Sequence, residues 1–453
     1  MIKPIQNAFK IPELRKRIIF TVLLLIVYRL GAHITLPGLD DGALEAFIDQ
    51  LKGDPDDPNP VGNVIALINV FSGGAFSQMT IFALGIQPYI SASIIMQLLA
   101  VIVPSLEKLS KEPDGRKKIT QYTRYGTVLL SIVQGIMITV LLRNPGQLIG
   151  GGAGAIVNNP TIWWHALAVL TLTAGTAFVM WLGEQITERG IGQGISIIIT
   201  VGIMAAFPTG VFEVSGKLFS DRGFGLAQLS ALLALVIIAV AGTIFIHLSV
   251  RKIPVQYGKQ IRGGKVFGGR AMHLPLRVNT AGMIPIIFAI TLMTFPGVLI
   301  NLLPQDQTWV GILAGWMDPG SPGFVYLSTY ALLIIGFTYF YTAVQINPVQ
   351  MAEDLQKYGG FIPGLRPGKQ TADYINTTLT RITLPGALFL AAIAVIPISI
   401  TSWLGVGGMV EGASVLIVVG VVLDTVSQIE SYLTMRHYDG FLKDRRLKGR
   451  SRR

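Results

Sequence analysis

The chain has 453 residues, 51% of them hydrophobic and 13% charged, against about 25% charged in an average soluble protein. With a mean hydropathy of +0.57, its apolar side chains exceed what aqueous cores can hide, so part of its surface must meet lipid. The absence of cysteine, the five scattered histidines and the net charge of +11 exclude a disulfide framework, an iron–sulfur site and a thiol nucleophile, leave no basis for a metal centre or a cofactor, and point to anionic partners.

Ten apolar runs follow one another near 18–38, 79–103, 119–142, 161–183, 191–212, 226–250, 279–303, 324–346, 380–401 and 412–433. Each is about 20 residues, enough for a helix to cross a ~30 Å hydrocarbon core, and isolated strands would leave backbone groups unpaired there. The expected fold is therefore an all-α membrane protein with ten transmembrane helices. The first run is too long and too interrupted by Arg29 to be a removable signal peptide, and Arg29, about 18 Å along the helix from Arg17, is expected to snorkel outward.

Charge orients the spans. The N-terminus, the loops 104–118 and 251–277, Arg189, the segment 347–381 and the tail after 435 hold 30 of the 36 Lys and Arg residues. By the positive-inside rule these are cytoplasmic, as are both termini. The first outer loop holds seven acids between 40 and 62 against Lys52 alone, and "DPDDPNP" at 54–60 reads as a solvated turn.

The short run 63–71 ends at "SGG", 72–74, and reaches only about 14 Å as a helix. It is either a re-entrant surface segment or a movable stopper in a channel. Loop 251–277 has seven basic residues, no acid and five glycines. It suggests turns or a hairpin, serving either topology and anionic lipid contact or the docking of an acidic protein or RNA. The segment 359–375 presents Arg366 and Lys369 on a turn stiffened by Pro and Gly. The basic tail is expected to be solvated or lipid-facing.

Few ionisable residues lie within the spans. His247 and Glu430 sit near cytoplasmic ends, leaving Asp424 as the one carboxylate deep enough to serve ion coupling. A proton-coupled secondary transporter of a small solute is the alternative reading that this residue keeps open. Gln97, Gln134 and Asn279 are expected to bond between helices. There is no GxxxxGK[ST] or HExxH string, and "GIGQG" at 190–194 opens an apolar run with no strand before it, so no enzyme motif is found.

Six strings carry more specific information: "NVFSGGAFSQMTIFALGIQPYISASIIMQLL" (69–99), "WLGEQITERGIGQGISIII" (181–199), "IPVQYGKQIRGGKVFGG" (253–269), "LPLRVNTAGMIPIIFA" (274–289), "FIPGLRPGKQTADYI" (361–375) and "SVLIVVGVVLDT" (414–425). In this order, and over essentially the whole chain, they resemble the bacterial SecY family. The resemblance implies a protein-conducting channel of the inner (plasma) membrane, built of two inverted five-helix halves, 1–212 and 213–453. It implies a pore ring at Ile86, Ile90, Ile195, Ile199, Ile287 and Ile417, where stiff β-branched side chains keep a constriction dry. It places a plug and its hinge at Val64, Ile65, Leu67, Ile68, Val70, Phe71, Gly73 and Gly74, and a lateral gate at Gln97, Gln134 and Asn279. Partner docking falls on Arg251, Lys252, Lys259, Arg262, Arg366 and Lys369. The implied partners are SecE and SecG as fellow subunits, the SecA ATPase and the ribosome as energy sources, signal peptides and nascent membrane proteins as cargo, and anionic lipids. The chain departs from the family slightly, in Glu411 before the tenth span and in the acidity of the first outer loop.

Overall fold

The computed structural model describes residues 11–52, 69, 72–112, 115–143, 156–157, 161–220, 225–257, 260–262, 265–267, 271–301, 316, 322–403 and 412–448. Two compact units form. One comprises 1–224, 294–321 and 421–453, the other 225–293 and 322–420.

The first unit contains α1 (Pro12–Gly31), α2 (Asp41–Lys52), α3 (Gln87–Ile102), α4 (Pro104–Lys111), α5 (Gly115–Arg143), α6 (Ile162–Arg189) and α7 (Gly194–Ser220). Pro12 and Pro88 start α1 and α3, where the missing N–H costs nothing, and Pro104 stops α3 at Ile102. Beyond that stop α4 turns by 104°. Helix α5 packs on α3 and α6, and α6 also packs on α7 and α1. A side chain at Gly175 of α6 would strike the carbonyl of Ile81, so this approach requires glycine.

Two expectations need correction here. Residues 79–86 belong to an apolar run but are not helical. Their backbone instead pairs with the chain after α1: Leu36 N donates to Met79 O (3.0 Å) and Ile81 N to Ile34 O (2.9 Å). Gly85 (φ +54°) and Pro88 oppose an earlier helix start. The acidic outer loop, in turn, begins with the amphipathic α2. Asp40 caps it, its Oδ1 accepting from Gly42 N and Ala43 N at 3.0 and 3.2 Å. Leu44, Phe47 and Ile48 then bury against Leu36, Phe76, Met79, Leu142, Trp164 and Leu172. Trp164 fastens this cluster by donating its indole N–H to Pro37 O at 2.9 Å.

The second unit contains α8 (Leu226–Leu248), β1 (Val250–Tyr257), β4 (Ala271–Arg277), α10 (Phe324–Gln345), α11 (Pro348–Lys357), β5 (Gly360–Phe361) and α12 (Lys369–Trp403), with β2 (Gln260–Arg262) and β3 (Lys265–Phe267) paired between β1 and β4 in sequence. Helices α9 (Ile284–Asn301) and α13 (Gly412–Lys448) have residues in both units. Helix α12 packs on α10, α8 and α11. Hydroxyls inside the apolar helices mostly satisfy themselves on the preceding turn, as Thr338 on Ile334 O (2.6 Å) and Thr342 on Thr338 O (2.7 Å) do.

Helices thus stand at all ten apolar runs. Seven among the described residues are long and apolar enough to cross a membrane alone, and α3 with α4 forms a bent eighth. The protein is a multi-pass, mostly helical membrane protein. The expected hairpin at 251–277 is present, its strands being outside the apolar runs. The basic tail continues α13 as helix to Lys448.

Candidate channel and docking site

The six isoleucines singled out in the sequence share one local setting, the first turns of a helix. Ile86 is the N-cap of α3 and Ile90 lies one turn on. Ile195 and Ile199 are one turn apart at the start of α7, Ile287 is in the first turn of α9, and Ile417 is in the second turn of α13. Five are buried and Ile195 is half-buried, its Cγ1 lying over Gly183 of α6. Ile86, Ile90, Ile195 and Ile199 belong to the first unit, Ile287 and Ile417 to the second.

The start of α7 is positioned by the "GIGQG" turn. Ile191 N donates to Thr21 Oγ1 of α1 (3.1 Å), and Gly192 N to Gln428 Oε1 of α13 (2.6 Å). Gly192 adopts φ +80°, and a side chain there would meet Ile197 and Thr425. Beneath the turn, Leu14, Ile191 and Ile429 form a small core. The glycine string is therefore a three-way fastening of α1, α7 and α13.

Of the plug and hinge positions, Val64, Ile65, Leu67, Ile68, Val70 and Phe71 lie outside the described residues, whereas Gly73 and Gly74 form a turn with φ +69° and +88°. Asn69 closes it: its carbonyl accepts from Gly74 N (2.9 Å) and its Oδ1 from Ser77 N (2.9 Å). Helix α1 contributes two donors. Tyr28 gives its hydroxyl proton to Ser72 O (3.3 Å), and Arg29 Nη1 donates to Gly73 O (2.9 Å). Arg29 therefore turns inward rather than snorkelling. The bond to a carbonyl dipole within reach is charge-assisted.

Two of the three amides bond locally rather than between helices. Gln97 Nε2 donates to Ser93 Oγ on its own helix (3.2 Å), and Asn279 Nδ2 to Gly282 O in its own turn (3.1 Å). Gln97 Oε1 and Asn279 Oδ1 are buried without a partner among the described residues, and Gln134 is half-buried. Asp424 is exposed on α13 rather than enclosed. The charge pair that sequence reasoning missed is Arg124 with Glu184, 2.8 Å apart between α5 and α6. Only the presence of opposite charges in neighbouring runs could have signalled it.

The two basic loops, separate in sequence, form one module. Strand β1 pairs antiparallel with β4 on one side (Arg251 opposite Leu276, Lys252 opposite Pro275) and with β5 on the other (Gln256 opposite Phe361). Ile253, Val255, Leu276, Ile362, Ile375 and Leu379 fill a core under this sheet. Asn347 caps α11, accepting from Val349 N (3.1 Å) and Gln350 N (3.3 Å). The turn before α12 is held by its own groups: Arg366 N donates to Gln370 Oε1 (3.3 Å), and Thr371 Oγ1 donates to Arg366 O (3.0 Å). With its backbone fixed, the Arg366 side chain stands exposed. Arg251, Lys252 and Lys369 are likewise exposed, Arg262 lies in β2, and Lys259 is outside the described residues.

Comparison with known proteins now bears on this arrangement. The SecY family profile matches residues 80–426. The protein translocase subunit SecY of Halalkalibacterium halodurans is 44% identical over 453 residues, covering 98% of this chain and all of that protein. The same-named subunit of Aquifex aeolicus is 42% identical, covering 97% and 99%. The chain belongs to the SecY family. Among solved structures, a protein-conducting channel superposes with a TM-score of 0.63 at 18% identity, over 94% of this chain and 96% of that one. Sec61 from the canine ribosome-channel complex gives 0.56 at 17% identity, over 94% and 96%. These confirm the fold. The SecY profile spans every isoleucine of the expected ring, the three amides and the whole strand module. Arg29 and the Ser72–Gly74 turn lie just before it.

Proposed function

We propose that the chain is the channel-forming subunit of a bacterial inner-membrane translocon, passing unfolded secretory polypeptides across the membrane and releasing apolar segments sideways into lipid. The observation that carries this reading is the full-length match, at 44% identity, to a protein translocase subunit. The six isoleucines form the pore constriction: apolar, β-branched side chains resist wetting yet yield to a passing chain. Residues 63–73 act as the plug. Gln97, Gln134 and Asn279 line the lateral gate, and their two unpaired amide oxygens keep the closed seam only weakly favoured. SecE and SecG complete the heterotrimer.

The energy comes from a partner rather than from chemistry in this chain. Arg251, Lys252, Lys259, Arg262, Arg366 and Lys369 dock the SecA ATPase or the ribosome, and the flanking basic residues contact anionic lipid. The joint core under β1, β4 and β5 supports this reading, because it lets both loops present their cations on one stiff surface. Signal peptides and nascent membrane proteins are the cargo. The test is export into sealed vesicles that contain the chain with SecE and SecG, supplied with SecA, ATP and a preprotein. Protease-protected preprotein that requires this chain supports the reading; its absence overturns it.

A further inference from the structure

Arg29 stands in the last turn of α1, where the carbonyl end of the helix favours a cation. Arg29 has no carboxylate partner among the described residues; its bond is to the carbonyl of Gly73. The neighbouring Tyr28, 1% exposed, bonds the preceding carbonyl, that of Ser72. Two consecutive side chains of α1 thus grip two consecutive carbonyls of one turn. Gly73 also lies against the backbone of Gly202 on α7, so close that a side chain at Gly73 would come within 2.7 Å of Gly202 Cα. Tyr28 is itself held flat by Phe82, with ring centroids 6.0 Å apart. Gly73 and Gly74 adopt positive φ, a conformation that glycine takes up at no steric cost.

We infer that Arg29, assisted by Tyr28, is the positioning residue that clamps the Ser72–Gly74 turn and thereby sets how tightly the resting channel is sealed. The inference rests on the channel reading above and names the residues that regulate it. The physical logic is differential. The guanidinium gains a charge-assisted bond only while the turn is seated, so every displacement of the turn must first give that bond up. An incoming segment that offers the turn little compensation leaves the clamp closed, so the clamp also filters weak signals.

The experiment uses the full chain with its partner subunits in sealed vesicles, as wild type, Arg29→Met, Arg29→Lys and Tyr28→Phe. Resting ion conductance is read first, then export of one preprotein with its normal signal and with a signal of reduced hydrophobicity. Arg29→Met is expected to raise resting conductance and weak-signal export by about tenfold, the worth of one hydrogen bond to a charged group, while normal-signal export holds. Arg29→Lys, which keeps a cationic donor, should restore most of the seal, and Tyr28→Phe should shift both readouts in the same direction by less. Unchanged conductance in Arg29→Met overturns the clamp. So does a uniform loss of export and of folded protein in Arg29→Met that Arg29→Lys fails to rescue, together with a silent Tyr28→Phe. Wild-type vesicles that export nothing count against the translocon reading instead, and the conductance comparison still decides the clamp.

Discussion

The strand module of the second unit and the Ser72–Gly74 turn of the first are both built from chain that leaves the apolar helices, yet they are held in opposite ways. The module rests on a hydrophobic core and a strand ladder in which β1 is paired on both sides. Burial of this kind is non-directional and large, about 1.5–3 kcal/mol per side chain, so the surface keeps one shape. The turn at Ser72–Gly74 is held by individual donors from α1, each worth little net but lost abruptly on displacement. The module is cemented, and the turn is pinned.

The strongest way to break this contrast is to place a charge in the cement. Ile375 is fully buried beneath the sheet, and Ile375→Asp should cost roughly 3–5 kcal/mol, enough to unfold so small a unit. Limited proteolysis should then cut within 250–277 while the apolar helices stay membrane-embedded. Next comes Arg366→Glu. It leaves the core alone and reverses one exposed charge, so export driven by the motor should fall at least tenfold, more than the ~1.4 kcal/mol of one simple contact, because repulsion is added. Proteolysis of the module should be unchanged; normal export at physiological salt would remove Arg366 from the docking surface.

A smaller effect is expected on the other side of the contrast. Trp164→Phe keeps the ring in the outer cluster but removes the bond to Pro37 O, for about 1 kcal/mol of stability, visible as a modest drop in thermal midpoint with export intact. Smallest of all, Lys357 and Asp354 pair at 3.8 Å and are largely exposed; Asp354→Asn should change neither stability nor export measurably.

What could be read in the sequence follows from the same contrast. Long apolar runs and clustered cations are local signals, so the ten helices and the hairpin at 251–277 were legible. The start of α3 was not, because residues 79–86 are buried and apolar yet satisfy their backbone against residues 34–36, a pairing that no local pattern encodes. Helix α2 was hidden by its acids, although Leu44, Phe47 and Ile48 carry helical spacing. Strand β5 has only two residues, too few for any periodicity, although its pairing with β1 brings the second loop into the sheet. For the site, the family resemblance supplied the isoleucines and Arg366. It supplied nothing for Arg29, whose partner is a main-chain carbonyl and so leaves no mark in side-chain chemistry.

The most direct test of the account is the resting conductance of a channel whose isoleucine ring has been made polar. Ile90, Ile195 and Ile287 are replaced together by Ser, and the control replaces Ile19, Val22 and Ile26, all exposed on α1; Ile18 is unsuitable because it packs against the small core of Leu14, Ile191 and Ile429. If the ring is the seal, hydroxyls wet the constriction and the truncations widen it, so small-ion conductance rises in the ring variant alone and weakly hydrophobic signals are accepted more readily. Equal conductance in the two triple variants would contradict the ring, and with it the claim that these helices converge on a single pore.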